Sequence, residues 1–148
     1  MKKNVAHMLR KEQEDIRPES DQMPGPVTGD ILIIDDEVAV SNNIRKILLK
    51  SGQDIDQAIT KKEALDHINA KSYKLIVLDL RIPGVNGLEL LALIRNEQPE
   101  AKVVIVTGYA SIESAVEATR LGANTYLPKP FTPQELRQAT QEVLRKAA

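Results

Sequence analysis

Three short aliphatic runs constrain the fold of this chain more than any other feature of its sequence. They are Ile31–Ile34, Leu75–Leu78 and Val103–Val106, and no polar side chain interrupts them. Apolar runs without polar alternation are typical of strands buried on both faces. Such strands occur in parallel sheets whose two faces are covered by helices. The runs therefore predict a layered α/β fold.

Helical segments follow each strand. A first helix has Val38, Ile44, Ile47 and Leu48 on one stripe, and Gly52 is placed to cap its C-terminus. Capping boxes and apolar spacing predict further helices that begin at Thr60, Gly87, Ser111 and Thr132. Weaker strands at Asp54–Ile59 and Thr125–Leu127 complete an alternation of five strands and five helices. This alternation predicts a doubly wound parallel sheet with helices on both faces.

Composition narrows the function classes. The 148 residues include no cysteine, which excludes disulfides, thiolate metal sites and cysteine nucleophiles. The formal net charge of −1 gives no reason to expect direct binding of nucleic acid or an anionic membrane. No apolar run approaches the roughly 18 residues of a membrane span. The lack of cysteine fits a reducing compartment, and we expect a cytoplasmic location.

Residues 1–29 differ from the rest of the chain. They are charged with mixed sign and end in Met23–Gly29, a segment with two prolines and two glycines that is typical of a linker. Asn4–Arg17 is either a disordered tail or a short helix that docks on this domain or on a partner. We therefore divide the chain into an extension, 1–29, and a folded domain, 30–148.

Polar side chains stand at the ends of the predicted strands. Asp35 and Asp36 follow the first strand, Asp79 follows the third, Thr107 ends the fourth and Lys129 follows the fifth. The carboxyl ends of parallel strands share one edge, where open α/β sheets bind ligands. Three acids, one hydroxyl and one ammonium group should therefore converge there.

This set of groups suits phosphoryl transfer. Close carboxylates repel one another unless a cation is present, and oxygen ligands without His or Cys favour Mg²⁺. Lys129 and Thr107 suit the charge of a transferring phosphoryl group. Asp79, on the central strand, is the best candidate for a nucleophile that forms an acyl phosphate.

Each of these residues also has a purely structural explanation. Asp35 and Asp36 could cap the first helix, and Asp79 could stabilise the following turn. Thr107 could be an ordinary β-former and Lys129 a surface lysine. Their joint placement at successive strand ends favours the chemical interpretation.

Four segments closely resemble the receiver domain of bacterial two-component response regulators. They are Ile34–Glu37, Leu78–Gly87, Val106–Ala110 and Leu127–Phe131. The resemblance covers about Gly29 to Ala148, and Asn86, where the family often has Asp, is a small departure. It implies a flavodoxin-like (βα)5 fold with strand order 2-1-3-4-5.

The resemblance also implies a mechanism. Asp79 would accept a phosphoryl group from a histidine kinase or phosphotransfer protein. Asp36, Asp79 and the backbone carbonyl of Arg81 would hold Mg²⁺, with Asp35 assisting, often through water. The chain would then be a switch and not a turnover enzyme. Its partners would include a second copy of the chain, in a homodimer that depends on phosphorylation.

Further residues take roles from the same resemblance. Thr107 and Lys129 would contact the phosphoryl oxygens, and the Lys129–Pro130 peptide bond would be cis. Tyr126 would rotate inward when Thr107 moves, which alters the face formed by the fourth helix, fifth strand and fifth helix. Our hypothesis is that Arg81 and Tyr109 tune how easily water attacks the acyl phosphate.

Two alternatives come from other classes. An aspartate-nucleophile phosphatase of the haloacid-dehalogenase type needs a second Asp two residues after the nucleophile, where this chain has Arg81. An adaptor with the receiver fold would bind partners without phosphorylation, but it would not need the whole acid, hydroxyl and ammonium set. The sequence leaves open the cognate kinase, the output pathway, and whether the chain is a stand-alone receiver or part of a longer regulator.

Overall fold

Residues 30–49 and 54–145 are described by a computed structural model, in which strands and helices alternate as the sequence predicts. The main strands are β1 (Asp30–Ile34), β2 (Asp54–Ala58), β3 (Leu75–Leu78), β4 (Lys102–Thr107) and β5 (Thr125–Pro128). The helices are α1 (Val38–Leu48), α2 (Lys61–Ala70), α3 (Gly87–Glu97), α4 (Ile112–Arg120) and α5 (Pro133–Arg145).

The five main strands form one parallel sheet in the order β2-β1-β3-β4-β5. This confirms the predicted order 2-1-3-4-5 and the doubly wound class. The chain runs outward from β1 to β2 and then returns past β1 to β3, so the strand order reverses between β1 and β3. In such sheets ligands bind at the carboxyl edge beside this reversal.

The core lies on both faces of the sheet, as the unalternating apolar runs predict. Ile31 and Ile33 of β1 pack with residues of α1 and α5, whereas Leu32 and Ile34 pack with residues of α2, α3 and α4. All four of these side chains are completely buried. Neighbouring strands are aligned so that Ile34 stands opposite Leu78, and each strand therefore ends at the same edge.

Capping interactions set several helix starts. Thr60 accepts a hydrogen bond from the Glu63 N–H at 3.1 Å, while Glu63 accepts one from the Ile59 N–H at 2.8 Å. The first bond is the N-cap half of the predicted capping box of α2, whereas the Glu63 carboxylate reaches the N–H of Ile59, one residue before the N-cap Thr60. Ser111 likewise caps α4 by accepting the Ser114 N–H at 3.0 Å.

The structure departs from the sequence prediction after β3. There Arg81–Ile82 pairs with Val85–Asn86 as a two-stranded antiparallel hairpin, with Gly84 at φ 75° in its turn. The sequence indicated turns in this segment but not the hairpin, because two-residue strands carry no periodicity. Gly52 and residues 1–29 lie outside the described residues, so the interpretations placed on them stay predictions. Within residues 30–49 and 54–145, no helix has the length and apolar character needed to cross a membrane.

Candidate functional site

The sheet topology places Asp35 and Asp79 side by side. Each follows a strand directly, and the preceding residues, Ile34 and Leu78, are register partners. The Asp79 N–H donates to the Ile34 carbonyl at 2.9 Å, which extends the ladder by one residue. Asp35 is 0% exposed and Asp79 is 3% exposed, so both carboxyl groups are buried at the carboxyl edge of the sheet.

Asp36 completes an acidic cluster with these two residues. One carboxylate oxygen each from Asp35, Asp36 and Asp79 lies within 4.8 Å of the others. Asp36 is partly exposed, so the cluster opens to solvent on its side. Three oxygen donors at this spacing, with no His or Cys among them, are suited to a hard divalent cation.

Lys129 reaches into the acidic cluster from the end of β5. Its Nζ lies 2.9 Å from Asp35 Oδ2, 3.0 Å from Asp79 Oδ2 and 3.1 Å from Glu37 Oε1. The Lys129 N–H donates to the Thr107 carbonyl at 2.9 Å, which fixes this residue against β4. Its side chain is only 14% exposed, so it is not an ordinary surface lysine.

Glu37 was not among the predicted site residues. Its carboxylate nevertheless contributes the third acidic partner of Lys129. The signal in the sequence was its position directly after Asp35 and Asp36, but adjacency alone does not tell which of three consecutive acids face the same group.

The remaining carboxylate oxygens stabilise the loops. Asp35 Oδ1 accepts the Glu37 N–H at 2.9 Å, and Asp79 Oδ1 accepts the Arg81 N–H at 2.9 Å. Asp79 therefore stabilises its turn as well, so its structural and chemical explanations are compatible. Neither Asp35 nor Asp36 is the N-cap residue of α1: that residue is Glu37, whose own side chain makes no capping bond, although Asp35 accepts its backbone N–H.

Burial is the largest single influence on the pKa values of Asp35 and Lys129 in the cluster. Burial raises the pKa of Asp35 above its ordinary value, and the bonds from the Glu37 N–H and Lys129 offset only part of that shift. Burial alone would lower the pKa of Lys129, but the carboxylates of Asp35 and Asp79 outweigh it and raise that pKa, so the ammonium stays charged. The Lys129 ammonium pairs with three carboxyl groups, and Asp36 adds a fourth to the cluster, so acidic groups outnumber the one cation there.

An open cleft of about 410 Å³ lies over Asp79. Across it, the Arg81 guanidinium carbon stacks 3.6 Å from the centre of the Tyr109 ring. Thr107 is fully buried beneath this loop, and its hydroxyl accepts the Tyr109 N–H at 3.2 Å. The stack therefore joins two loops across the cleft, the hairpin after β3 that carries Arg81 and the loop after β4 that carries Tyr109.

Tyr126 lies farther along the sheet, on β5. Its side chain is half-buried, and its hydroxyl lies 2.6 Å from the Ser114 hydroxyl of α4. The Lys129–Pro130 peptide bond is cis, the isomer that the resemblance implies. Ser114 was not predicted from the sequence, because a serine in a first helical turn carries no signal of a long-range partner.

Known proteins share this sequence pattern and fold. The sequence model of the response regulator receiver domain family matches residues 31–141 of this chain. The alginate biosynthesis transcriptional regulatory protein AlgB of Pseudomonas putida is 39% identical over 116 residues, which cover 78% of this chain and 26% of that protein. This chain thus spans about a quarter of the length of the curated relatives it matches.

Solved structures agree with this similarity. A CheY-like receiver domain protein from Methanospirillum hungatei superposes with a TM-score of 0.76 at 33% identity, covering 82% of this chain and 97% of that one. A response regulator from Burkholderia pseudomallei, solved with a phosphorylated aspartic acid, a calcium ion and citrate, gives a TM-score of 0.72 at 34% identity. That match covers 79% of this chain and 69% of the Burkholderia chain. Since the family model accounts for most of the sequence and the fold and strand order agree with it, this chain belongs to the response regulator receiver domain family.

Proposed function

We propose that Asp79 is the phosphoacceptor of a two-component pathway and takes its phosphoryl group from a phosphohistidine. The observation that carries this proposal is the pairing of the buried Asp79 with Lys129 at 3.0 Å, inside the cluster of Asp35 and Asp36. A carboxylate held beside a fixed cation, at the mouth of a solvent-open cleft, can both attack phosphorus and tolerate the charge that arrives.

The donor set fits Mg²⁺. Its three oxygens converge within 4.8 Å, and the carboxylates outnumber the single ammonium, so a divalent cation would relieve their repulsion. Asp35, Asp36 and Asp79 would hold the ion, together with the Arg81 carbonyl that the resemblance implies. When bound, Mg²⁺ would supply neutralisation of the charge on the transferring phosphoryl oxygens.

The transfer is an in-line displacement. An Asp79 carboxylate oxygen attacks the phosphorus; the new O–P bond forms as the N–P bond to the donor histidine breaks, and the electron pair stays on the imidazole nitrogen. Lys129, which already donates to Asp79, would then donate to the phosphoryl oxygens. Asp79 is consumed in each cycle until water hydrolyses the acyl phosphate, so the domain acts as a switch and not as a turnover enzyme.

The switch would run through Thr107. Its hydroxyl accepts the Tyr109 N–H here, and we expect it to turn toward the new phosphoryl group. That movement vacates space into which Tyr126 rotates, and the face formed by α4, β5 and α5 changes shape. A downstream partner that reads this face would then distinguish the two forms.

The comparison with the Burkholderia regulator supports this proposal. That protein holds a phosphorylated aspartic acid and a calcium ion in a structure with a TM-score of 0.72 to this one. The haloacid-dehalogenase alternative loses support, because the residue two positions after Asp79 is Arg81, whose side chain stacks on Tyr109. The adaptor alternative remains the one to exclude by experiment.

Incubation with acetyl phosphate and Mg²⁺ tests the proposal. We expect one phosphoryl group per chain by mass spectrometry, on Asp79, and no uptake by Asp79→Ala or without Mg²⁺. The matched control is Asp66→Ala, since Asp66 is an exposed acid paired with Lys62 on α2. Absence of uptake by the folded, unaltered chain would instead favour the adaptor.

A further inference from the structure

A hydrogen bond between two side chains joins the expected switch residue to α4. Tyr126 Oη and Ser114 Oγ lie 2.6 Å apart, and either hydroxyl can be the donor. Both side chains are half-buried, and the Tyr126 ring packs against the core cluster on the α2, α3 and α4 face of the sheet. The bond therefore connects β5 with the first turn of α4 in a place partly shielded from water.

Ser114 is itself fixed by the N-cap of α4. Ser111 Oγ accepts the Ser114 N–H at 3.0 Å and donates to Ser114 Oγ at 3.0 Å. A hydroxyl both donates and accepts, so Ser111, Ser114 and Tyr126 form a continuous chain of three hydroxyl groups. We call this set the hydroxyl chain.

The hydroxyl chain begins at the end of the loop that connects β4 to α4. This loop runs from Thr107 to Ser111, and the Thr107 hydroxyl accepts the Tyr109 N–H at 3.2 Å. Rotation of that hydroxyl toward a phosphoryl group would release the Tyr109 N–H at one end of the loop. Loss of the Tyr126 bond would remove one contact that holds the Ser114 side chain beside Ser111 at the other end, so both changes loosen the contacts of this loop.

We propose that Ser114 is a positioning residue that holds Tyr126 where it lies here and so opposes its inward rotation. This inference rests on the proposed function of Asp79. Inward rotation breaks the Ser114–Tyr126 bond, and the first turn of α4 then loses its connection to β5. The free energy that phosphorylation supplies must exceed that of this bond. Ser114 therefore raises the free energy that is needed to switch the domain.

The test uses 3-fluorotyrosine labelling and ¹⁹F NMR during titration with beryllofluoride and Mg²⁺. In Ser114→Ala, we expect the Tyr126 resonance of the free protein to move toward its beryllofluoride-saturated position. The titration midpoint should fall about five-fold, the factor that one neutral hydrogen bond is worth. Ser114→Thr keeps the hydroxyl and should behave like the unaltered chain.

Tyr126→Phe supplies the second arm, because it removes the same bond from the other side. With the Tyr109 resonance as probe, Ser114→Ala should shift the midpoint no further in the Tyr126→Phe background. An unchanged Tyr126 resonance and midpoint in Ser114→Ala would overturn the inference and leave phosphorylation of Asp79 standing. If the unaltered chain binds no beryllofluoride, the proposed function fails, and the inference fails with it.

Discussion

At the scale of single residues, the stack of Arg81 on Tyr109 suggests how these two side chains could tune the lifetime of the acyl phosphate. The guanidinium lies 3.6 Å from the ring centre and spans the cleft above Asp79, although the Tyr109 side chain is 62% exposed. An exposed cation–π contact of this kind is worth about 0.5–1 kcal/mol. The stack can therefore restrict the approach of water to the acyl phosphate, but only modestly.

We expect Arg81→Ala and Tyr109→Ala each to shorten the acyl-phosphate half-life about two- to five-fold, following the energy of the lost stack. The double variant should be no faster than either single one, because the same contact is lost in all three. The measurement is the decay of radiolabelled phosphoprotein after removal of acetyl phosphate. Tyr109→Phe keeps the ring and is the control; lifetimes that stay unchanged in both alanine variants would refute the hypothesis.

A second residue, Asp56 of β2, lies outside the phosphorylation site and contributes to the stability of the fold in a way that depends on pH. Its carboxylate accepts the Tyr73 hydroxyl at 2.7 Å and Lys71 Nζ at 3.0 Å. Burial raises the pKa of Asp56, but these two partners outweigh it and hold the pKa below the ordinary value of 3.8. Because the unfolded pKa is the higher one, ionised Asp56 stabilises the fold above about pH 4, and this contribution disappears as the pH falls through the folded value.

Asp56→Asn should therefore lower the free energy of unfolding by about 1–2 kcal/mol at pH 7, as expected for lost bonds to a charged group. The difference from the unaltered chain should shrink below pH 4, when followed by urea unfolding across the pH range. Asp54→Asn is the matched control, because Asp54 pairs with the same Lys71 at 3.1 Å but is 66% exposed. We expect that control to cost less than about 0.5 kcal/mol; an Asp56→Asn deficit as large at pH 3 as at pH 7 would contradict the linkage.

At the scale of elements, the hairpin after Asp79 depends on a close backbone contact at the start of α3. A Cβ on Gly87 would lie 2.2 Å from the Leu80 carbonyl oxygen and 2.6 Å from the Leu80 Cα. Both are backbone atoms of the residue that follows Asp79, so they cannot rotate away as a side chain would. Gly87 is thus required by packing, and the contact fixes the phosphoacceptor loop against α3.

Gly87→Ala should therefore destabilise the domain by at least about 1–3 kcal/mol, the usual cost of overpacking, and slow phosphoryl uptake by displacing the Asp79 loop. The measurements are thermal unfolding and the rate of uptake from acetyl phosphate. Gly108→Ala is the control for the unfolding measurement, because a Cβ there meets nothing within 4 Å and Gly108 has no positive φ. Equal stability of the two variants would mean that the Leu80 backbone can move aside.

The same elements mark how far the sequence could predict the fold. β1, β3 and β4 follow directly from the aliphatic runs, because burial on both faces keeps polar residues out of the interior of such strands. The convergence of Asp35, Asp79 and Lys129 follows from topology, since parallel strands share a carboxyl edge. The hairpin, Glu37 and the Ser114–Tyr126 bond depend on loop and side-chain geometry, which leaves no periodic pattern in the sequence.

At the scale of the whole molecule, one exposed surface of α4 stands out for self-association. Ile112 is 83% exposed and Val116 is 60% exposed, and they lie one helical turn apart on the face expected to change on phosphorylation. Exposed aliphatic groups in one patch are typical of interaction surfaces. The formal net charge of −1 offers little electrostatic repulsion between two copies.

We therefore expect this surface to support the phosphorylation-dependent homodimer that the family resemblance implies. In sedimentation velocity, Mg²⁺ and beryllofluoride should shift the chain toward a dimer. Ile112→Ser should weaken that dimer at least about ten-fold, because a buried isoleucine contributes about 1.5–3 kcal/mol in each copy. Leu93→Ser is the control, since Leu93 is an exposed aliphatic residue that belongs to α3 and not to α4. A chain that stays monomeric with beryllofluoride bound would contradict the homodimer. An equal effect of the two serine variants would show that the dimer does not form through the α4 surface.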